Sequence, residues 1–558
     1  MPLQPIADLV SICVKQGITD VILSPGSRCA PISLAFVRHP KVHARTISDE
    51  RSAAFIALGM AQQSNRPVVL VCTSGSAAYN YAPAVAEAFF QQIPLIIITA
   101  DRPPEWIDQW DGQTIRQTNI YGQHVKASYN FPDEFGHHDK IWHGHRICNE
   151  AILSAMQFPQ GPVHLNVPLR EPFYPEKGES FEFDREVNVT SGVKTLSTFA
   201  DETKEKFKER LANFKRVVII PGQQRPDKKL ADLLNEIASS KNAVIITDTI
   251  SNFQSDVSVN FHDHFISAEK FKDQLEPDLI ITFGKSIISK GLKLFLRKSN
   301  AQHWHIQPGG YTPDTFQKLG KIIPCNPLDF LENIKGFLQS DRDFVAAWSE
   351  LDQKVSAHLP PLVSSAAFGE YKAISSCLNF IPHHAKLHLA NSMAVRYVNF
   401  LGKRPQEIIC NRGTSGIDGS NSTAVGCTFT TKDPVVLITG DMAFFYDRNA
   451  FWHNYAMPNL RIILLNNHAG GIFRLIEGPS KQPELEEYFE TKQALEASYL
   501  ANEYGFGYFK ATDELTLEEG LRDFFKKSIK PKILEIITDS PKNAEVLKKI
   551  KSSLNEIL

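Results

Sequence analysis

Short apolar runs rich in β-branched residues recur along the chain, each followed by a helix-like stretch. This alternation predicts parallel sheets with crossover helices. Three blocks share the texture. The first holds Asp20–Arg28 (DVILSPGSR), Arg66–Gly75 (RPVVLVCTSG), Pro94–Glu105 (PLIIITADRPPE) and Gly161–Pro168 (GPVHLNVP). The second holds Lys215–Gly222, Asn242–Asp248, Pro277–Gly284 and His303–Pro308. The third holds Lys386–Ser392, Glu407–Gly419, Pro434–Asp441, Asn459–Asn467 and Pro531–Asp539. A polar stretch over 171–204 reads as a linker. A second connection, Ser340–Gly369, contains Pro360-Pro361. The expected fold is therefore α/β, with three doubly wound parallel-sheet domains over 1–180, 195–345 and 365–558.

Length agrees with this division: 558 residues, at about 150 per domain, make three or four domains. Charge narrows the partners. With 60 Lys and Arg against 62 Asp and Glu, the chain has no overall attraction for nucleic acid or an anionic membrane, so charge-based recognition must be local. The longest apolar runs, such as Ile93–Ala100, are too short to span a bilayer, and no secretory signal is visible at the N-terminus. The eight cysteines are sparse and form no CxxC motif. The expectation is a reduced, cytoplasmic, multidomain enzyme.

Candidate chemistry concentrates at strand ends, where ligands bind in open α/β sheets. PVVLITGD ends at Asp441 and NLRIILLNN ends at Asn467, 26 residues on, which leaves room for a helical crossover. Both residues then emerge at one end of the sheet. A carboxylate and an amide oxygen are hard ligands suited to Mg²⁺, and the His468-Ala469-Gly470-Gly471 loop lets backbone approach a diphosphate. Either dipeptide alone reads as an ordinary strand-end turn; the pair at this spacing does not. Glu50 opens a small-residue helical run. It fits an acidic first turn, or a carboxylate placed to exchange a proton with a cofactor. Arg28, Arg102 and Arg412 sit beside Gly or Pro at predicted strand ends, which suits bidentate recognition of carboxylates. Arg396 follows Ser392 by four residues, so both can face one site. Other patterns carry less. Gly505-Phe506-Gly507 lacks the third glycine of a dinucleotide fingerprint, His143/His145 and His383/His384 lack zinc-site spacing, and no GxSxG is present.

The Asp441…Asn466-Asn467 pair resembles the diphosphate–metal motif of thiamin diphosphate enzymes. SPGSR (Ser24–Arg28), ISDER (Ile47–Arg51), TSGSA (Thr73–Ala77), TADRPPE (Thr99–Glu105), QTIRQ (Gln113–Gln117), NRGTSGIDG (Asn411–Gly419) and NNHAGGIF (Asn466–Phe473) narrow the resemblance. In order and across the whole chain they resemble the 2-succinyl-5-enolpyruvyl-6-hydroxy-3-cyclohexene-1-carboxylate synthase family of menaquinone biosynthesis. The resemblance implies pyrimidine-binding, central and diphosphate-binding domains. It implies a homodimer or homotetramer whose active sites form between the pyrimidine-binding domain of one subunit and the diphosphate-binding domain of another. The implied activity is a thiamin diphosphate-dependent carboligase. It decarboxylates 2-oxoglutarate and adds the succinic semialdehyde carbanion to isochorismate, with Mg²⁺ or Mn²⁺ as the ion.

By the same resemblance, Asp441, the Asn467 side chain and the Ala469 carbonyl match metal ligands. Glu50 matches the glutamate at the aminopyrimidine ring, and Ile417 the apolar wedge under the bent cofactor. Gly416, Ser392, Ile472 and Phe473 complete the cofactor set. Ser392 and Arg396 match contacts to the oxoglutarate-derived carboxylate. Ser27, Arg28, Arg102, Gln113 and Lys290 match the isochorismate side, and Arg412 lines the pocket. Three positions depart from the pattern. Met442 replaces a glycine, Gly291 stands where an arginine is familiar, and His468-Ala469 replaces Asn-Gly. Two other readings stay open: a different thiamin diphosphate-dependent 2-oxoacid decarboxylase or acetolactate-type synthase, and a non-catalytic cofactor-binding subunit.

Overall fold

The structure is a computed structural model and describes residues 3–176, 179–193 and 199–558. The apolar runs form strands as the pattern predicts, and every described strand pairing is parallel. The first sheet contains β1 (Asp20–Leu23), β2 (His43–Thr46), β3 (Val68–Cys72), β4 (Leu95–Asp101), β5 (Ser128–Asn130) and β6 (Val163–Pro168). The second contains β7 (Val217–Pro221), β8 (Val244–Ile245), β9 (Leu279–Phe283), β10 (Gln302–Ile306) and β11 (Leu319–Ile323). The third contains β12 (Lys386–Leu389), β13 (Glu407–Ile409), β14 (Val435–Gly440), β15 (Leu460–Asn466), β16 (Gly507–Ala511) and β17 (Lys532–Ile537). Central strands such as β3 and β4 are buried throughout. Helices cover both sheet faces, so their sequences run apolar without alternation.

The first and third sheets share one topology. Their orders are β2-β1-β3-β4-β6-β5 and β13-β12-β14-β15-β17-β16. In each, the chain reverses its direction of travel between the first and third strands, which opens a crevice at their carboxyl ends. In the first sheet that crevice lies beside Ser24–Arg28 and Thr73–Gly75. In the third it lies beside Asn391, Ser392 and Asp441.

The connections differ from expectation in one place. Of the 171–204 stretch, 177–178 and 194–198 lie outside the described residues. The rest carries no helix or strand until Asp201. The second connection, however, is a helix, Arg342–Ser365, that includes both Pro360 and Pro361. Its stripe of Phe344, Val345, Trp348, Leu351, Val355, Leu359 and Val363 is buried along one side, and the prolines point outward into solvent. Burial of that stripe outweighs the hydrogen bonds the prolines remove.

The first and third units also pack tightly on each other. The helices Glu50–Ser64 and Ser420–Thr428 cross with backbone against backbone. A Cβ on Gly59 would lie 2.1 Å from the Thr423 carbonyl oxygen, and one on Gly426 would lie 2.0 Å from that of Ile56. Phe55, Ile56, Met60, Val425 and Cys427 fill one apolar core across this crossing.

Candidate active site

β14 and β15 pair in register up to Gly440 opposite Leu465, so Asp441 and Asn467 leave the sheet at the same end. They line a cleft of about 560 Å³ in the third unit, together with Ser392, Arg396, Arg412, Ile417, Ala469, Ile472 and Phe473. Gly416 adjoins it, and a Cβ there would lie 2.1 Å from Asp418 Oδ1, so a larger residue would require the Asp418 side chain to move.

Asp441 is buried, 2% exposed, and burial pushes its carboxyl up to about 6. Gln493 Nε2 donates to its Oδ2 at 2.7 Å and the Met442 amide to its Oδ1 at 2.9 Å. Among the described residues no Lys or Arg forms an ion pair with it. A buried carboxylate lacking a cation partner suits a divalent ion. Asn467 is oriented from both sides. Its Nδ2 donates to Glu370 Oε1 at 2.6 Å, and its Oδ1 accepts from the Ala469 amide at 3.0 Å. Glu370 is itself buried, with its carboxyl raised to about 7, first by burial and further by Asp441. His468 takes a left-handed conformation, φ 59°, to turn the loop between Asn467 and Ala469. The donor set is all oxygen, which matches Mg²⁺ or Mn²⁺.

The cations occupy the other wall. Ser392 caps the helix Met393–Phe400 with φ 67°, a strained value for a non-glycine residue and of a kind that clusters at functional sites. Arg396 Nη1 donates to the Ser392 carbonyl at 2.5 Å, so both face the cleft as their spacing predicts. Arg412 Nη1 donates to Asn391 Oδ1 at 2.9 Å, while its Nε is buried and finds no partner among the described residues. Burial and the Arg412 charge draw the Arg396 guanidinium below its usual value, and Asp263 opposes them. Two like charges held in a partly buried wall favour an anionic ligand. Ile417, 39% exposed, is an apolar side chain presented to the same space.

The remaining candidates do not line this cleft. Arg28 is buried, donates to the Leu169 carbonyl at 2.9 Å and stacks over Phe173. Arg102 pairs with Asp111 at 3.0 Å and donates to the Gly112 carbonyl. Gln113 adopts φ 54° against Gly75, and Ser27 is exposed. These four gather at the carboxyl ends of the first sheet. Glu50 begins its helix behind the cap Asp49, which accepts from Asn449 Nδ2 at 2.7 Å. Lys290 is exposed at the start of the helix Lys290–Lys298, directly after its cap Ser289. Gly291 is confined, since a Cβ there would meet Ile266 and Ser267 at 3.0 Å.

Sequence reasoning missed Glu370, Gln493 and Lys293. Lys293 is half-buried one turn after Lys290; its amine is lowered by burial and next by Arg412. Glu370 looks like any acidic first-turn residue, and nothing in the sequence marks Gln493. Only their tertiary contacts identify them.

Comparison with known proteins agrees with this geometry. Residues 6–120 match the "Thiamine pyrophosphate enzyme, N-terminal TPP binding domain", 195–389 the "Middle domain of thiamine pyrophosphate", and 390–536 the "Thiamine pyrophosphate enzyme, C-terminal TPP binding domain". The 2-succinyl-5-enolpyruvyl-6-hydroxy-3-cyclohexene-1-carboxylate synthase of Cytophaga hutchinsonii is 46% identical, over 99% of this chain and 99% of its own. Those of Flavobacterium johnsoniae (39% identical, 97% of each chain) and Porphyromonas gingivalis (37% identical, 97% of this chain and 95% of its own) carry the same name. With all three units matched and relatives similar from end to end, the chain belongs to the 2-succinyl-5-enolpyruvyl-6-hydroxy-3-cyclohexene-1-carboxylate synthase family of thiamin diphosphate-dependent enzymes.

Proposed function

We propose that the chain decarboxylates 2-oxoglutarate with thiamin diphosphate and joins the remaining four-carbon unit to isochorismate, the reaction its relatives are named for. The supporting observation is the cleft itself, where a buried carboxylate without a cation partner faces a wall carrying Arg396 and Arg412. When bound, thiamin diphosphate supplies the electron sink for breaking and making the carbon–carbon bonds. Asp441, the Asn467 oxygen and the Ala469 carbonyl would hold Mg²⁺ or Mn²⁺, with Glu370 fixing the Asn467 amide. Ile417 would offer the cofactor an apolar surface, while Gly416, Ile472 and Phe473 would shape the space around it. Ser392 and Arg396 orient the distal carboxylate of the oxo acid. Arg412 Nε supplies a donor with no competing partner among the described residues. Glu50 would supply the carboxylate that exchanges a proton with the aminopyrimidine.

Ser27, Arg28, Arg102, Gln113 and Lys290 form the isochorismate side in this reading. Glu50 and the first-unit residues do not line the cleft of their own chain. We therefore assign them to the cleft of a second copy, in a homodimer or a tetramer built from one. The units are 1–180 (pyrimidine-binding), 195–345 (central) and 365–558 (diphosphate-binding), and the enzyme works in the cytoplasm. No described helix is long and apolar enough to cross a membrane.

Product analysis tests the reading. Protein supplied with thiamin diphosphate, Mg²⁺, 2-oxoglutarate and isochorismate should release CO₂ and form the succinyl adduct. Turnover of pyruvate into acetolactate in place of that adduct would favour the acetolactate-type reading. No CO₂ from any 2-oxo acid would favour a binding subunit.

A further inference from the structure

The cations assigned to the two substrates stand on elements from different units: Lys290 on the central helix Lys290–Lys298, and Arg396 on the third-unit helix Met393–Phe400. One buried turn, His262-Asp263-His264, grips both. Asp263 Oδ1 accepts from Ser289 Oγ, and Ser289 also caps the Lys290 helix through the Leu292 amide at 3.0 Å. Asp263 Oδ2 accepts from Asn399 Nδ2 at 2.9 Å, on the Arg396 helix and three residues beyond Arg396. The Asn399 Oδ1 accepts from the Thr249 amide at 2.8 Å, so the amide cannot flip. His264 Nε2 donates to the Phe400 carbonyl at 2.9 Å. The turn is anchored behind. Asp352 Oδ1 accepts the Asn260 and Phe261 amides at 2.8 and 2.7 Å, and His262 lies 3.3 Å from Asp248, whose other oxygen accepts the Ile288 and Ser289 amides.

We infer that Asp263 and Asn399 are positioning residues. Their single hydrogen bond sets the separation between the cation of the Lys290 helix and that of the Arg396 helix, and so the distance at which two dicarboxylates are held. This rests on the reading that Lys290 and Arg396 bind substrate carboxylates. Neither Asp263 nor Asn399 lines the cleft. The side-chain identities fit the role. A carboxylate can accept from two donors at once, which ties Ser289 and Asn399 to one rigid group. Both partners are largely buried, so the bond is shielded from competition by water.

Reversing the polarity of the bond tests the inference. Asp263→Asn leaves one acceptor oxygen for two donors, Ser289 Oγ and Asn399 Nδ2, because Asn399 cannot flip. Asn399→Asp sets two carboxylates against each other. The double variant restores one donor and one acceptor, and residue 263 still accepts from Ser289. Each single variant should raise KM for both substrates about tenfold or more while kcat changes less than threefold, and the double variant should return both KM values to within threefold of the parent. Single variants that lower only the thermal unfolding midpoint, with KM unmoved, would overturn the inference, as would a double variant that folds but is not rescued. Lys290→Ala and Arg396→Ala run alongside. If they raise KM and the Asp263 and Asn399 variants do not, the positioning role alone fails. If they too leave KM unmoved, the carboxylate assignment fails and the inference falls with it. Because Asp248, His262 and Asp263 bring ligand atoms within 4.8 Å of one another, transition-metal analysis is included. A stoichiometric ion lost in Asp263→Asn would make the cluster a metal site and overturn the hydrogen-bond reading.

Discussion

At the scale of single residues, roles separate by what each side chain can still do after folding. Glu50→Gln keeps a hydrogen-bonding group but cannot take up a proton. The variant should bind thiamin diphosphate normally and exchange the cofactor's C2 hydrogen for deuterium far more slowly than the parent, read by quenched-flow NMR. The cations divide in the same manner. Arg396 lines the cleft and Arg102 does not. A charge-assisted hydrogen bond contributes about 1.5–3 kcal/mol, so losing one should cost roughly tenfold to a hundredfold. Arg396→Ala should show that loss in decarboxylation of 2-oxoglutarate without acceptor. Arg102→Ala should leave that half-reaction nearly intact and impair the step that consumes isochorismate. Stopped-flow spectroscopy of each half-reaction distinguishes them. Asp441, Asn467, Ser392 and Arg396 were legible in the sequence because strand ends and a four-residue spacing dictate where they emerge. Glu370 was not, because its position depends on the helix after residue 365 folding back until Asn543 Oδ1 accepts the Glu370 amide. Asp263 and Asn399, 136 residues apart, carry no local signal of each other.

Among the elements, the strands that escaped the sequence pattern share one property. β2, β5, β11 and β16 are all edge strands, with burial on at most part of their length. An edge strand lacks neighbours on one side, so it has less need of a continuous apolar run, and HART or SYN reads as loop. The helix Arg342–Ser365 was obscured for the opposite reason, since two prolines outweigh a buried stripe when the sequence alone is read. The helix Ser420–Thr428 gives a prediction of its own. Asp447 accepts the Ser422 amide and hydroxyl, each at 2.7 Å, and burial lifts its carboxyl to about 7 from an ordinary 3.8. For an acid with a raised folded value, the contribution to stability is complete below the unfolded value and is lost as pH rises through the folded one. Asp447→Asn keeps an acceptor for the amide and removes the charge. The parent should therefore lose stability relative to the variant between about pH 4 and 7, on the order of 4 kcal/mol in all. Denaturant unfolding of both proteins across that range measures the difference.

For the whole molecule, a cleft that lacks Glu50 in its own chain predicts complementation between chains. Glu50→Gln and Asp441→Ala proteins, each nearly inactive, should recover up to about a quarter of parental activity once their subunits exchange. One quarter is the share of sites that pairs two intact halves under random mixing. Exchange proven by mass spectrometry with no recovery would place both residues in one chain's site. The crossing of Glu50–Ser64 over Ser420–Thr428 reaches further than the site. Gly59 and Gly426 bring carbonyls of each helix against the backbone of the other, leaving no room for water between them. Amides at this crossing can meet solvent only when the two helices separate, and separation exposes the core they share. In native-state hydrogen exchange, amides of 53–60 and 422–427 should be among the slowest and should share one opening free energy. The first and third units, whose crossing glycines Gly59 and Gly426 lie 367 residues apart along the chain, would then melt as one body.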